Sequence, residues 1–275
     1  MDEKDNQQSG VRINRYLSAA GVCSRREADR EIAAGNVRIG GRVAVAGDRV
    51  PAGVSVSFHG KPVVPEEEEI LLAFHKPRGI VCTAEKREKN NIIDYIDYPK
   101  RIYPVGRLDK DSEGLILLTN QGDLVNRIMR AGNFHEKEYT VTTDREIEDA
   151  FLDGMRGGVY LRELDVTTRK CRVKRTGRRT FSIVLTQGYN RQIRRMCEAF
   201  GYRVVRLTRV RIMNIYLGDL PPGTYRGLTE KERRDMYRLI GQSYSAPLSN
   251  TVRAGEHRRA GQPAERIRNQ KGSNQ

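Results

Sequence analysis

Four consecutive glutamates, Glu66 to Glu69, follow Pro65 near the end of the first quarter of the chain. No other segment limits the possible folds as strongly. A block of like charges cannot be neutralised inside a packed core, so such blocks are solvated. We therefore interpret residues 65–69 as an acidic linker. It divides the 275 residues into a small domain, residues 11–64, and a larger domain, residues 70–240.

Both ends of the chain lack the apolar periodicity of a folded segment. We predict a disordered leader over residues 1–10 and a disordered tail over residues 241–275. The tail has six Lys and Arg residues against two Glu residues, which gives a net charge of +4. This charge predicts that the tail adds weak affinity for a polyanion.

The small domain has the pattern of two helices and a hairpin. Apolar residues recur at helical spacing in its first segment, at Ile13, Tyr16, Leu17 and Ala20. Gly21 ends that pattern. Ser24 and Glu27 form a capping box, which predicts a second helix that ends at Gly35–Asn36. Gly40–Gly41 separates two short β-type runs and predicts a tight hairpin.

Seven arginines crowd into this helix–helix–hairpin unit: Arg12, Arg15, Arg25, Arg26, Arg30, Arg38 and Arg42. We expect four of them, Arg12, Arg25, Arg26 and Arg38, to contact RNA phosphates. Residues 11–64 also resemble the S4-type RNA-binding domain. This resemblance implies recognition of folded RNA by its shape and backbone.

The charge of the whole chain points to the same class of partner. Fifty Lys and Arg residues stand against 35 Asp and Glu residues, a net charge of +15. Such an excess favours polyanions, because phosphate contacts release counterions. No apolar run approaches a membrane span, and the polar start lacks a secretory signal, so we expect a cytoplasmic protein without membrane contact. The four cysteines contain no C-x-x-C pair, which gives little support to a metal site or disulfides.

The larger domain mixes strands and helices in irregular order. We predict strands over residues 70–74, 115–119, 139–143 and 181–186, and a helix over residues 123–130. A further helix is predicted to be capped by Asn190 and closed by Gly201. Its apolar face is predicted to comprise Ile193, Met196, Cys197 and Phe200, with Cys197 a buried and inert thiol. Irregular alternation of this kind favours an α+β fold.

The segment from Gly106 to Leu115, G-R-L-D-K-D-S-E-G-L, places three acids in a basic chain. Acids that face RNA weaken binding, so they need a chemical reason unless the segment is an ordinary charged surface loop. It resembles the signature loop of the pseudouridine synthases, in the RsuA/RluB/RluF type that carries an S4-type domain. Three further stretches resemble motifs of that family in the same order: His75 to Gly79, Glu136 to Tyr139 and Gly188 to Met196.

The resemblance covers most of the chain. It implies a catalytic domain built on a mixed, largely antiparallel sheet with flanking helices and a central cleft. Residues 130–139 further resemble the branch called RluF. That branch acts on large-subunit (23S) ribosomal RNA, and some of its members also modify a tyrosine tRNA. We therefore expect a specific uridine of structured RNA as the substrate and a monomeric enzyme.

The reaction breaks the N-glycosidic bond of uridine, turns the base and joins its C5 to the same ribose. It involves no net redox change, so we expect no cofactor and no metal. Asp109 is the candidate carboxylate. It can attack C1′ as a nucleophile or remove a C2′ proton to give a glycal, and the sequence does not choose between these routes.

An ionised carboxylate in a closed pocket needs a nearby cation. We choose Arg194 for this role, and expect Arg191 or Arg195 to bind a phosphate. The resemblance implies that Tyr139 stacks on the extruded uracil and can accept the C5 proton.

Three further residues complete the predicted substrate contacts. We expect Leu207 to line the pocket, Arg107 to approach the RNA backbone or fill the gap left by the base, and Lys76 to bind substrate.

Two other classes of protein fit part of the sequence. A non-catalytic RNA-binding or ribosome-assembly factor would need the first seventy residues, but it has no need for the carboxylate loop or Tyr139. A helix-turn-helix DNA-binding protein would fit residues 11–36. The hairpin that follows and the large second domain argue against it.

Overall fold

A computed structural model describes residues 10–64, 68–129 and 134–241, together with the backbone of Arg258–Arg259. The predicted leader, apart from Gly10, lies outside the described residues, as do residues 65–67 of the predicted linker and most of the predicted tail. The chain divides into two compact units. One comprises Met1–Glu69 with Asn120–Gly122, and the other comprises Ile70–Thr119 with Asp123–Gln275.

The small unit has two helices, α1 (Ile13–Ala19) and α2 (Arg25–Ala33). Its strands are β1 (Val11–Arg12), β2 (Val37–Ile39), β3 (Arg42–Val43), β4 (Arg49–Val50), β5 (Val56–Phe58) and β6 (Lys61–Pro62). β1 pairs with β4, and the other four form a sheet in the order β3-β2-β5-β6. Ile13 and Leu17 of α1 are buried in a core that they share with α2 and the strands.

Local features of the small unit confirm two predictions. The Ser24 hydroxyl accepts a hydrogen bond from the Glu27 backbone N–H at 3.1 Å, and the Glu27 carboxylate accepts one from the Ser24 N–H at 3.2 Å. This is the predicted capping box. Gly40 and Gly41 have φ values of +55° and +84°, which a two-residue hairpin turn between β2 and β3 requires.

The large unit contains a ten-stranded sheet, five α-helices and one short 3-10 helix (Arg162–Leu164) among its described residues. The helices are α3 (Ile92–Ile96), α4 (Gly122–Met129), α5 (Asp149–Gly157), α6 (Gln192–Ala199) and α7 (Glu230–Leu239). The sheet strands are β7 (Leu71–Lys76), β8 (Tyr103–Val105), β9 (Glu113–Thr119), β10 (Lys137–Thr143), β13 (Arg172–Gly177), β14 (Thr180–Leu185), β15 (Val204–Ile212), β16 (Ile215–Tyr216), β17 (Thr224–Gly227) and β18 (Arg258–Arg259). A separate pair is formed by β11 (Tyr160–Leu161) and β12 (Val166–Thr167).

The main sheet runs in the order β13-β14-β10-β15-β9-β7-β17-β18. Its pairings are antiparallel except that of β15 with β9. Such a sheet with helices in irregular order confirms the predicted α+β class. None of the described helices has the length and apolar character that crossing a membrane requires.

β9 is the central strand of this unit, and every one of its residues is buried. Leu115 and Leu117 join one core cluster together with residues of α4 and α7, whereas Ile116 and Leu118 join another with residues of α3. Alternate side chains of a strand point to opposite faces, so β9 is packed on both sides. A third cluster lies between β10, β13, β14, β15 and the helices α5 and α6.

The predicted strands over residues 70–74, 115–119, 139–143 and 181–186 correspond to β7, β9, β10 and β14, and the helix over 123–130 corresponds to α4. The predicted Asn190 cap is wrong. The residue that precedes α6 is Arg191, in the left-handed region at φ +51°, and its side chain makes no capping bond. Phe200 follows the last residue of α6 and is 37% exposed, with its ring in an edge contact with the buried Phe151 at 5.8 Å. Cys197 is fully buried as predicted. Burial raises the pKa of its thiol to about 12.

Candidate active site

A cavity of about 490 Å³ opens in the large unit beside β9, β10 and β15, and we call it the central pocket. Its lining includes Arg107, Asp109, Lys137, Tyr139, Gln187, Arg191, Leu207 and Arg209. Its volume falls within the usual range of small-molecule sites, ~300–1,000 Å³. Five residues predicted from the sequence therefore line one cavity: Asp109, Tyr139, Arg107, Arg191 and Leu207.

Asp109 lies in the loop that joins β8 to β9. Along one edge of β9, β8 pairs with residues 117–119 and β15 pairs with Glu113 and Gly114. The loop leaves the sheet where the neighbour of β9 changes, and it is closed by a hydrogen bond from the Ser112 N–H to the Asp109 carbonyl at 3.1 Å. The Asp109 carboxylate is 31% exposed, so it lies at the pocket wall and within reach of solvent.

Gly114 allows this loop to approach β15. An added Cβ would lie 2.3 Å from the Arg209 carbonyl oxygen, and the φ of Gly114 is +110°. Both the close approach and the backbone angle require glycine. Because Gly114 has no side chain, the loop can lie directly against the backbone of β15.

The cation beside Asp109 differs from the prediction. Arg191 Nη1 lies 3.9 Å from Asp109 Oδ2, whereas the predicted partner, Arg194, places its Nη2 3.2 Å from Asp111 Oδ2. The Arg194 guanidinium also donates to the Ser112 hydroxyl at 3.3 Å and to the Val204 carbonyl at 3.1 Å. Arg194 is buried and links the end of the loop to β15, while Arg191 is half-exposed and faces the acid.

Lys76 also differs from its predicted role. Its side chain is fully buried at the end of β7, and its Nζ donates to the carbonyls of Pro77 and Ser112, each at 2.8 Å. Burial lowers the pKa of this ammonium. A side chain with no exposed surface is not accessible to RNA. Lys76 supports the carboxylate loop from within.

Tyr139 and Leu207 are brought to the pocket by the pairing of β10 with β15. Tyr139 is opposite Arg209, and Val141 is opposite Leu207. Tyr139 is half-buried and contacts two of the three core clusters of the large unit, so its ring is positioned between them. Its exposed part faces the cavity.

The remaining predicted contact residues lie elsewhere. Arg195 forms an ion pair with Glu163 and lines a separate depression, so it does not reach Asp109. Arg12, Arg25, Arg26 and Arg38 are exposed on the small unit. Arg38 Nη1 donates a hydrogen bond to the Gly41 carbonyl oxygen at 3.0 Å. Exposure leaves these four side chains accessible to a phosphate backbone.

Sequence reasoning missed three buried polar residues of the pocket. Lys137, Gln187 and Arg209 are 5%, 6% and 1% exposed. Lys137 sits two residues before Tyr139, a spacing that places both side chains on one face of a strand, and this was the available signal. The position of Arg209 in the pocket could not be predicted, because the sequence did not indicate the strand β15 on which it lies.

Comparisons with known proteins show the family of the chain. Residues 70–199 match the RNA pseudouridylate synthase family, and residues 11–56 match the S4 domain. The dual-specificity RNA pseudouridine synthase RluF of Escherichia coli strain K12 is 52% identical over 239 residues, which cover 86% of this chain and 82% of that protein. An uncharacterized RNA pseudouridine synthase of Aquifex aeolicus is 34% identical over 241 residues, covering 85% and 96%.

A solved structure described as a pseudouridylate synthase has a similar fold. Its TM-score is 0.61 at 27% identity, and the similarity covers 82% of this chain and 100% of that one. Fold, pocket and relatives define an enzyme that isomerises uridine in RNA. The chain belongs to the RNA pseudouridine synthase family, with an S4 domain at its amino-terminal end, and is similar to RluF. An RNA-binding factor without catalysis and a DNA-binding repressor are both disfavoured.

Proposed function

We propose that Asp109 is the catalytic carboxylate of this synthase and that the central pocket holds the target uridine. The observation that carries the proposal is the position of Asp109 in one cavity with Tyr139, Leu207 and Arg191. A carboxylate, an aromatic ring and a guanidinium are the groups that the isomerisation needs around a flipped nucleotide.

Each of these residues has a definite task. Asp109 acts on the ribose, either by attack on C1′ or by removal of a C2′ proton. Arg191 places a positive charge 3.9 Å from the carboxylate of Asp109. Tyr139 stacks on the extruded uracil, a contact worth ~1–3 kcal/mol in other base–aromatic pairs, and its hydroxyl can accept the C5 proton. Leu207 closes the apolar side.

Arg107 is exposed at the mouth of the pocket, so it is placed for the RNA backbone or for the gap left by the base. The arginines of the small unit add phosphate contacts that hold the folded RNA. Arg194 is a positioning residue, because it binds Asp111 and Ser112 at the end of the loop that carries Asp109.

Asp109→Asn keeps the shape of the side chain and removes its charge. We expect the formation of pseudouridine to fall by at least about 10³-fold, with RNA affinity within about twofold of wild type. Modification is read as a carbodiimide-dependent stop of reverse transcription, and affinity by filter binding. The control is Asp153→Asn, an exposed acid on α5, which should retain full activity. An active Asp109→Asn enzyme would remove Asp109 from the mechanism.

The two routes open to Asp109 differ at C2′. The glycal route breaks the C2′–H bond, so deuterium at C2′ should slow the reaction several-fold if that step limits the rate. Attack on C1′ leaves that bond intact. Single-turnover rates on protiated and deuterated RNA compare the routes directly.

We further propose that the substrate is a stem-loop of 23S ribosomal RNA and that a tyrosine tRNA is a second substrate, acted on in the cytoplasm by a monomer. The name dual-specificity, given to relatives that are 52% and 53% identical, supports two classes of RNA. Transcripts of both should acquire one carbodiimide-dependent stop each. A stop in neither RNA, with activity on a different RNA, would overturn this substrate assignment.

A further inference from the structure

The inner wall of the central pocket carries three buried hydrogen-bond donors that Asp109 chemistry does not use. Lys137, Gln187 and Arg209 are each at least nine-tenths buried. Arg209 Nη2 and Gln187 Nε2 have no hydrogen-bond partner among the described residues. Lys137 Nζ donates to the His135 carbonyl at 3.2 Å, which leaves two of its three N–H groups.

No carboxylate of the described residues lies within ion-pairing distance of Lys137 or Arg209. Arg209 is held by backbone carbonyls instead, with Nε 2.7 Å from the Leu115 oxygen. Burying a cation without a counter-ion costs stability, so two such groups in one cavity call for an anionic or acceptor-rich ligand.

The reaction itself generates an anion in this cavity. When the C1′–N1 bond breaks, its electron pair stays with N1, and the charge of the detached uracil spreads over O2 and O4. C1′ is taken up by Asp109, or forms a glycal as the C2′ proton leaves. The base then turns and C5 bonds to C1′, as the bond from C1′ to the Asp109 oxygen breaks or, on the glycal route, as the proton returns to C2′. The C5 proton departs and N1 takes up a proton, so the product is an isomer of uridine. No oxidant or further reactant is required.

We propose that Lys137 and Arg209, with Gln187 as a third donor, form a site that binds O2 and O4 of the detached uracil anion. Tyr139 lines the same pocket and lies opposite Arg209 on the paired strands, which places the ring that stacks on the base beside these donors. Fixed donors aimed at charge that develops during a reaction need no reorganisation, and they stabilise the transition state more than the ground state.

The electrostatics of Lys137 agree with this role. Burial, together with the charge of Arg209, lowers the pKa of the ammonium to about 8. The group is still charged at neutral pH, but no neighbouring anion raises its pKa. A uracil anion would supply the missing charge. The inference rests on the proposed function, since only that function makes this cavity the uracil site.

The test varies the leaving group as well as the enzyme. A fluorine at C5 withdraws electrons and stabilises the uracil anion by itself, so 5-fluorouridine depends less on a protein cation. Consumption of uridine or 5-fluorouridine at the target site is measured under single-turnover conditions with saturating enzyme. The variant is Lys137→Gln, and the control is Lys231→Gln, which removes an exposed lysine from α7.

We expect Lys137→Gln to slow uridine consumption by about 10²–10³-fold, the usual effect of removing one such donor. The loss on 5-fluorouridine should be at least tenfold smaller, with RNA affinity unchanged. An equal loss on both substrates would overturn the proposal, as would full activity. A weakened RNA affinity with an unchanged rate would identify a phosphate contact and overturn it too.

Lys137→Arg covers the case in which Lys137→Gln does not fold. This variant keeps the charge, so the ratio of the two substrate rates should stay near its wild-type value even if both rates fall. A tenfold rise in the ratio would contradict the proposal. Inactive wild-type enzyme on every RNA tested would instead mean that the proposed function has failed.

Discussion

Asp109 and Asp111 are two residues apart in one loop, yet their surroundings differ. Arg191 lies within 4 Å of both acids, while the buried Arg194 pairs with Asp111, donates to its neighbour Ser112 and also donates to the Val204 carbonyl of β15. Asp111 therefore ties the loop to α6 and β15, and Asp109 is left facing the pocket. The different surroundings of the two acids follow from the burial of Arg194, which holds Asp111, and the exposure of Arg191 beside Asp109.

Lys137 should cost the folded protein stability, because it is a cation buried without a counter-ion. Lys137→Met keeps the length of the side chain and removes the charge. We expect it to raise the free energy of unfolding at pH 7 by about 1–3 kcal/mol while it lowers activity. Urea denaturation measures the first effect. A less stable Lys137→Met protein would contradict the unpaired state of this ammonium.

The pH dependence has a definite sign. Below pH about 8 the ammonium is charged in both the folded and the unfolded chain, so the penalty is fully present. Between pH about 8 and the ordinary lysine value of 10.5, the folded chain has released its proton and the unfolded chain has kept it. Wild type therefore gains stability as pH rises, and the advantage of Lys137→Met should shrink over this window. If the difference in free energy of unfolding between Lys137→Met and wild type stayed constant from pH 7 to 10, this prediction would be contradicted.

At the scale of elements, the loop between β8 and β9 depends on the contact of β9 with β15. Gly114→Ala would place a methyl group against the Arg209 backbone and force a residue with a side chain into a φ of +110°. We expect a loss of about 3 kcal/mol or more in the free energy of unfolding, together with loss of activity. Urea denaturation and the modification assay report both.

Gly157→Ala is the matched control for this change. Gly157 ends α5, and an added Cβ there meets nothing within 4 Å. Its stability should stay at or slightly above that of wild type. If Gly114→Ala were tolerated equally well, the close approach of β9 to β15 would not be what holds the loop.

At the scale of the whole molecule, the net charge of +15 predicts RNA binding that weakens steeply with salt. Arg12 and Arg26 are exposed on the small unit and are assigned to phosphates. Replacing both with alanine should lower the slope of log affinity against log salt by about 2. Fluorescence anisotropy with a labelled stem-loop measures it. Arg178→Ala, an exposed arginine paired with Glu146, should leave the slope unchanged.

Much of the molecule could be predicted from its sequence, because many signals are local. A capping box and a Gly-Gly turn act within four residues, and both were predicted correctly at Ser24 and Gly40. The buried strand β9 was recognisable since it is packed on both faces and reads as an uninterrupted apolar run. The motifs around Asp109 and Tyr139 indicated the family and pointed to Asp109 as the candidate carboxylate.

Other elements escaped prediction, because their residues are paired only in three dimensions. β15 alternates apolar residues with arginines, and Arg209 and Arg211 are buried where a sequence pattern expects solvent. Glu136 and Glu138 of the neighbouring segment neutralise Arg211. A local sequence pattern cannot predict these pairs, because Glu138 and Glu136 lie 73 and 75 residues from Arg211 along the chain.

The sequence by itself determined the fold class and the family, and it singled out Asp109, the carboxylate that we propose as catalytic, because these follow from local patterns and ordered motifs. Only the tertiary structure decided which arginine faces Asp109, that Lys76 is sealed beneath the loop, and that Lys137 and Arg209 share the wall of one cavity. Burial and pairing across strands set these outcomes. Both are properties of distances between residues that lie far apart along the chain.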